Sequence, residues 1–466
     1  MAYNLHDVKV IGIGFAEVLS CKIEGEIGEH SSLTISGYLA DNEKILYEMP
    51  AYQPIEVYLA EQEILFAGII TDISIMTSAE VQVMKVEGKS YSFLMDLIKR
   101  SRSFQNVQMS YSALVSQVMN DYPGSALFYA GPDLPIGNLI VQYEETDWEF
   151  LKRVMSMLGM SVTPDGHQKG IKLYAGIPAL NEVEVWCHTI KVEKDLDTYY
   201  YLQANGHQVN DTDFTKYKIS SEQLIHMFEL TKICGQLFSV YSCKYEFDGQ
   251  EMVGIYRLQM ARGLSRPVIY PMHMIGIALN GNVVSVSGDQ VQVALEIDRE
   301  SGNPSVYWFI YSTISASPNG SGWYCMPEIG DDVRVYFPSK YEKEAIALSA
   351  VSNYSAPGGG QADRMQDPNS RYLRTKAGQQ LALTPDHLQL SCGAGLSSVT
   401  IQGDGKIIVS AQDTVNVTAQ EDLTIHAQEE LTVHSKLGVL LQSLQGGKVE
   451  IGAANIKFNG TEVKFD

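Results

Sequence analysis

The sequence predicts a mainly β protein with a few helices, built as a series of small barrels that ends in a needle of stacked strands. Three observations predict it. The last hundred residues keep an eight-residue beat: aligned from Gly405 they read GKIIVSAQ, DTVNVTAQ, EDLTIHAQ, EELTVHSK and LGVLLQSL, with an aliphatic residue at the third and fifth positions of each. Two earlier stretches, from about residue 8 to 90 and from 272 to 352, consist of short alternating runs separated by turn residues. Helical spacing of apolar residues is confined to the region between them.

The chain has 466 residues, too many for one compact core, with 45% hydrophobic and 19% charged residues, the balance of a folded protein. A formal charge of −21 argues against nucleic acid as partner, because phosphate recognition needs a basic surface. The longest cationic run, Lys99 to Arg102 (KRSR), reads as the solvated end of a helix. No stretch reaches the ~20 apolar residues that span a bilayer, and the N-terminus has no basic region followed by a small-residue cleavage site. Six scattered cysteines, with no CxxC pair, read as reduced structural thiols.

From about residue 8 to 90, SLTISGYL, PIEVYLA, EILFAGIITDISI and VQVMKVEG alternate as half-buried strands of a small barrel or sandwich do. YSFLMDLIKRS and YSALVSQVMNDYPG then place apolar residues three and four apart, the second stopping at Pro123-Gly124. A third helix follows Asp147, where Trp148, Leu151, Met155 and Leu158 share a face and Gly159 marks the stop; the acidic lead-in Glu144-Glu145-Thr146-Asp147 supplies its cap. Strand-like runs, among them TYYYLQA and LFSVYSCKYEF, return from about 170 to 270.

The segment QYEETDWEFLKRVMSMLGMSV, residues 142 to 162, resembles a signature of phage-tail hub proteins and of the valine-glycine-repeat (VgrG) spikes of type VI secretion. Glu145, Thr146, Asp147, Phe150, Leu151, Arg153 and Gly159 are the matching positions. Residues 272 to 352 hold five short strands, which suits a Greek-key barrel of the OB type. Within them YCMPEIGDDVRVYF is similar to the OB domain of those spikes at Pro327, Gly330, Asp331, Val333, Val335 and Phe337. The barrel is not basic overall, so a structural adaptor is favoured over an oligonucleotide site.

The resemblance implies this order: a first hub β-barrel (1–90), a helical hub segment (91–165), a second hub β-barrel (166–271), an OB-fold domain (272–352), a linker (353–380) and a triple-stranded β-helix spike (381–466). A linker of fewer than thirty residues is too short for the lysozyme domain that some phage spikes carry there.

In the repeat, the pairs Ile407/Val409, Val415/Val417, Leu423/Ile425, Leu431/Val433 and Val439/Leu441 are expected to pack a needle core. The small residues Ala411, Ala419, Ala427, Ser435 and Ser443 suit its corners, and Lys406, Thr418, Thr424, Thr432 and Gln442 its outer face. Either one chain coils on itself or three chains wind together. A lone coil exposes strand edges at both ends, and the resemblance implies the homotrimer. About ten strands at ~4.8 Å make a needle on the order of 50 Å long.

No catalytic, cofactor-binding or metal residue is expected. Gly12-Ile13-Gly14 lacks the third glycine of a dinucleotide fingerprint and is read as a turn. His426 and His434, eight apart, are read as surface ladder residues, and Cys187-His188 and the carboxylates Glu144, Glu145 and Asp147 as strand-end and cap residues.

The expected function is mechanical: the central spike and hub of a contractile injection machine, whether phage tail, R-type bacteriocin, type VI system or extracellular injection particle. It would nucleate the inner tube on the baseplate and pierce a target envelope. Inner tube and baseplate proteins are the implied partners, with a PAAR-like tip protein on an apolar end formed by Val463 and Phe465 and no effector domain fused beyond it. Assembly in the cytoplasm, in a particle that is then released, goes with this reading. The alternatives are a trimeric tailspike enzyme acting on surface polysaccharide, which needs a carboxylate pair in a sugar groove, and a trimeric adhesin, which needs a secretion signal or anchor.

Overall fold

The structure, a computed structural model, describes residues 3–39, 49–60, 63–78, 81–178, 180–206, 208–248, 251–314, 324–349, 367–444, 446–452 and 454–462. Val463 and Phe465, and residues 353–366 of the expected linker, lie outside the described residues. The chain forms two compact units, Met1–Asn353 and Tyr354–Asp466.

The first unit is organised by one 11-stranded antiparallel sheet. Its first half runs Val8–Ile11, Pro54–Leu59, Glu63–Ser78, Val81–Ser90, Ser32–Leu39 and Phe15–Glu26. Its second half continues through Gln236–Asp248, Met252–Gln259, Thr215–Ser221 and Thr189–Lys194, with an eleventh strand, Leu230–Ile233, paired to Gln236–Asp248 off this path. The halves join where Ser242 to Asp248 pair with Glu26 to Ser20. Alternating residues of both halves, including Ile23, Ile35, Val57, Phe66, Val86, Val240, Tyr245 and Leu258, fill one core. Strand alternation predicts the individual strands; nothing in it announces that segments more than two hundred residues apart share a ladder. Gly12, at φ 107°, makes the tight turn after the first strand, where a Cβ would come within 2.1 Å of the Pro54 carbonyl oxygen.

Two helices, α1 (Tyr111–Met119) and α2 (Asp147–Ser156), pack with a small sheet around Phe104, Leu114, Val115, Phe150, Leu151 and Val154. Thr146 caps α2: its hydroxyl accepts from the Glu149 N–H while the Glu149 carboxylate accepts from the Thr146 N–H. Two expectations are corrected here. YSFLMDLIKRS is not one α-helix; Tyr91–Asp96 is a 3₁₀ helix and Lys99–Phe104 a strand paired with Ile140–Thr146. Conversely TYYYLQA belongs to a helix, α3 (Leu196–Ala204), started by the Asp195 carboxylate accepting from Thr198 N–H. Its aromatic residues favour strands, but the cap wins where only Leu202 is buried.

The strands Ala278–Ser287, Gln290–Leu295, Trp308–Tyr311, Ile346–Ser349 and Asp332–Tyr336 close into a barrel, with the third and fourth of these parallel. Val283, Val291, Val293, Phe309, Val333, Val335 and Phe337 fill it.

In the second unit, strands Arg371–Arg374, Gln380–Leu383, His387–Cys392, Ser397–Gln402 and Ile407–Ala411 form an antiparallel meander, so its first strand falls inside the expected linker. Val439–Gln442, Lys448–Ile451 and Ile456–Asn459 form a second meander. Both ends of the repeat therefore differ from one strand per layer. Ile407 pairs with Ile401 across a turn containing Gly405 at φ 90°, and Val439 pairs with Ile451 across one containing Gly446 at φ 110°. Glycines in the left-handed region reverse the chain there.

Candidate functional site

Two places in the molecule carry features that folding of one chain does not demand: a buried ionic junction between hub and barrel, and the rows of the repeat.

The junction is built on the strand Ile140–Thr146. Its alternation serves two cores, since Ile140 enters the helical core while Leu139 and Val141 enter that of the closed barrel. At Glu144 the backbone turns left-handed, φ 48°, the partner strand shifts register between Arg100 and Arg102, and Glu145, Thr146 and Asp147 are all buried. Arg153 on α2, 1% exposed, answers Glu145 with Nε at 2.8 Å from Oε1 and Nη2 at 2.8 Å from Oε2. The same Nη2 donates to the Val141 carbonyl at 2.7 Å, and Nη1 reaches Glu342 Oε1 at 3.3 Å. Glu342 belongs to the barrel and also accepts from the Val141 N–H at 2.8 Å. Burial pushes the Glu342 carboxyl up, against the pull of Arg153. One guanidinium thus ties helix, strand and barrel in a planar fork that lysine does not match.

A second cluster lies beside it. Arg102, 7% exposed, donates from Nη2 to Asp147 Oδ1 at 2.7 Å and from Nε to Gln142 Oε1 at 2.8 Å. Tyr122 donates to Asp147 Oδ2 at 2.7 Å. On the barrel side, Asp298 accepts from Ser103 N–H at 2.6 Å and from Ser103 Oγ at 2.5 Å. The cationic run Lys99 to Arg102 is thus no solvated helix end. Asp147 and Glu145 do more than cap: each neutralises a buried arginine. Only long-range pairing, 45 residues between Arg102 and Asp147, reveals this; the one local signal is an Arg at the heart of an otherwise apolar helix face.

The needle-core residues sit differently. Ile407, Val409, Val415, Val417, Leu423, Ile425, Leu431, Val433 and Leu441 are exposed in the single chain, Val417 by 68% and Ile425 by 66%, and Val439 is half-buried. Residues 412–438, which hold the three central octads, form no strand ladder among the described residues. Thr418, Thr424 and Thr432 of the opposite face are exposed as well, so one chain does not divide inside from outside.

His426 and His434 are exposed. His188 Nε2 lies 3.2 Å from Glu222 at the surface, and Cys187 beside it is half-buried. All six cysteines are free. No helix among the described residues is long and apolar enough to cross a membrane.

Residues 25–174 match the sequence model of the phage tail baseplate hub (GPD) family. Among solved structures, the Escherichia coli c3393 protein, a type VI secretion component described as similar to the T4 bacteriophage tail proteins gp27 and gp5, aligns with a TM-score of 0.54 at 13% identity. The alignment covers 73% of this chain and 99% of that one. A chain of the Francisella PdpA–VgrG complex aligns at TM-score 0.50 and 10% identity, over 86% of this chain and 87% of that chain. Among curated proteins none matches. The fold is that of VgrG-like hub proteins.

Proposed function

We infer that this VgrG-like phage-tail hub protein acts as the central hub and spike of a contractile injection machine, and that three copies of it share one needle. The hub match over residues 25–174 supports the first part. The observation that carries the second is the contrast within the repeat: strand-like alternation without a ladder, and aliphatic rows without cover, over residues 412–438. Backbone groups in an alternating segment need partners, and apolar rows need an apolar neighbour. Two further copies supply both, each rotated by a third of a turn about the needle axis, with Val415/Val417, Leu423/Ile425 and Leu431/Val433 facing inward.

The division of work follows. The sheet of the first unit offers a ring of copies to the inner tube and baseplate. The barrel passes axial load on, and the arginine junction keeps hub and barrel from shearing. The needle carries the load to the target envelope, with a PAAR-like protein as its tip. Assembly takes place in the cytoplasm, within a tail-like particle that is later released. The role is structural, with no catalysis in the chain itself.

Sedimentation of the purified full-length chain tests the trimer, with Val417→Asp as the comparison. The expected result is a trimer for the native sequence and its loss in the variant, because three carboxylates then meet on a dry axis. A native monomer, or a variant that still forms trimers and normal particles, sinks the proposal.

A further inference from the structure

Two turns and a strand meet over a pocket of about 420 Å³ that has no part in the junction or the needle. The turn holding Asp165 and His167 hangs on the strand Glu63–Ser78 through Gly166, whose carbonyl accepts from the Ala67 N–H at 2.7 Å. A second turn, between Thr215–Ser221 and Leu230–Ile233, presents His226 beside it. Buried Phe228 stands there at φ 68°, a left-handed conformation that a bulky aromatic residue adopts only under constraint. His226 Nε2 lies 2.8 Å from Glu63 Oε1, and His167 Nδ1 lies 3.4 Å from Asp165 Oδ1. The inner nitrogens, His226 Nδ1 and His167 Nε2, are hydrogen-bonded to one another at 3.4 Å. Glu63 lies in the first half of the sheet and His226 between strands of the second, so this row of carboxylate, imidazole, imidazole and carboxylate joins the two.

We propose that this row is an acid-released latch: it ties the His226 turn to the first half of the sheet while the imidazole pair carries a single positive charge, and lets go when the pair takes a second. The proton count follows from the contacts. Each ionised carboxylate needs an N–H, and the inner contact needs one more, so three protons sit on four ring nitrogens. With one proton fewer, two lone pairs face each other; with one more, two N–H groups of two cations do. Only the intermediate count satisfies all three contacts.

The surroundings favour one charge and resist two. Among the described residues lining the pocket there is no lysine or arginine, whereas Glu24, Glu63 and Asp165 are present, Glu24 already answered by Lys22 at 2.9 Å. Glu229, in the same turn as His226, accepts from its backbone N–H at 2.8 Å. Tyr245, on Gln236–Asp248, has its hydroxyl 3.5 Å from His226 Nδ1 but donates it to the Ile225 carbonyl at 2.8 Å, and burial keeps it a phenol. Burial likewise pushes the Cys243 thiol up to about 11, so neither group offers a counter-charge to a second proton. Burial and then the charge of His167 hold His226 below its ordinary value in the closed latch. Once released into solvent it returns to about 6.5. The open form therefore binds the proton first as pH falls below that value, and opening grows by about tenfold per pH unit until the closed form titrates too. Against burial, His167 holds the Asp165 carboxyl below its usual value, so Asp165 stays ionised through this window.

Amide hydrogen exchange of the full-length chain, read over residues 225–230 and corrected for the intrinsic pH dependence of exchange, tests the latch. Between about pH 7 and about pH 5 the corrected exchange of this turn should rise at least about tenfold, while the strand Met252–Gln259 stays protected. The rise should vanish in His226→Gln, which takes up no proton, and shrink in His167→Gln, which removes the neighbouring cation. Glu63→Ala, at an exposed position, removes the anchor and should speed exchange of the turn already at pH 7. His30→Phe, which removes a separate titration in the hub, should keep the native rise. A native turn that exchanges alike at both pH values, a rise undiminished in either folded histidine variant, or a turn indifferent to Glu63→Ala overturns the proposal.

Discussion

The two units of this chain handle apolar residues in opposite ways. In Met1–Asn353, alternating strands fold their aliphatic faces inward, and even two arginines are drawn below the surface with their counter-charges. In residues 412–438 an equally regular alternation leaves every aliphatic residue in the open. Periodicity is the same in kind; what differs is whether the chain returns to cover itself. In the hub, long connections bring the strand Gln236–Asp248 back onto Phe15–Glu26. Over residues 412–438 the described chain does not return to cover these rows, and under the proposed function the cover comes from other copies.

The largest expected effect breaks the comparison at the needle. Ile425→Asp should abolish trimer formation in sedimentation while leaving the hub's thermal transition in place; if hub and needle melt together in that variant, the two regions are not independent. Next comes the junction. Arg153→Met leaves Glu145 and Glu342 buried without their cation and should cost about 3–5 kcal/mol of hub stability in chemical denaturation, with the isolated variant still folding at low denaturant. An unchanged midpoint shows that the guanidinium is dispensable for hub stability.

A smaller effect is read in pH. Burial against Trp148 and Phe93 lowers His30 to about 4, with Asp96 opposing. The folded hub thus prefers the neutral ring, and the unfolded chain binds a proton first, near the ordinary value of about 6.5. This contribution is fully present above that pH and declines as pH falls toward 4, by at most about 3 kcal/mol. A His30→Phe variant should show a shallower loss of stability over that window, measured by urea denaturation at several pH values; parallel curves refute it. Smallest of all, Lys406→Ala removes an exposed pair with Asp404 at 2.6 Å and should leave both the trimer and the melting curve unchanged. A measurable loss places Lys406 in a contact between copies.

Much of the fold was legible along the chain because strands with one buried face alternate, and alternation is local. SLTISGYL, LFSVYSCKYEF and QVQVALEI stand where their pattern puts them, and α2 begins at the expected cap. The failures are instructive. TYYYLQA carries strand-forming aromatics, yet Asp195 and solvent exposure leave it helical. KRSRSF carries charges that suit a helix end, yet Arg102 is buried because Asp147 waits for it on a neighbouring element.

The sequence by itself determined the alternating strands of the hub and barrel, the cap of α2, and that the C-terminal octads repeat one surface unit; each of these depends on residues within a few positions of one another. Only the tertiary structure decided that two distant halves share one sheet, that Arg102 and Arg153 are internal, and that His167 and His226 meet at 3.4 Å. A buried charge is stable only when its partner arrives from elsewhere in the fold, and no local pattern encodes that arrival.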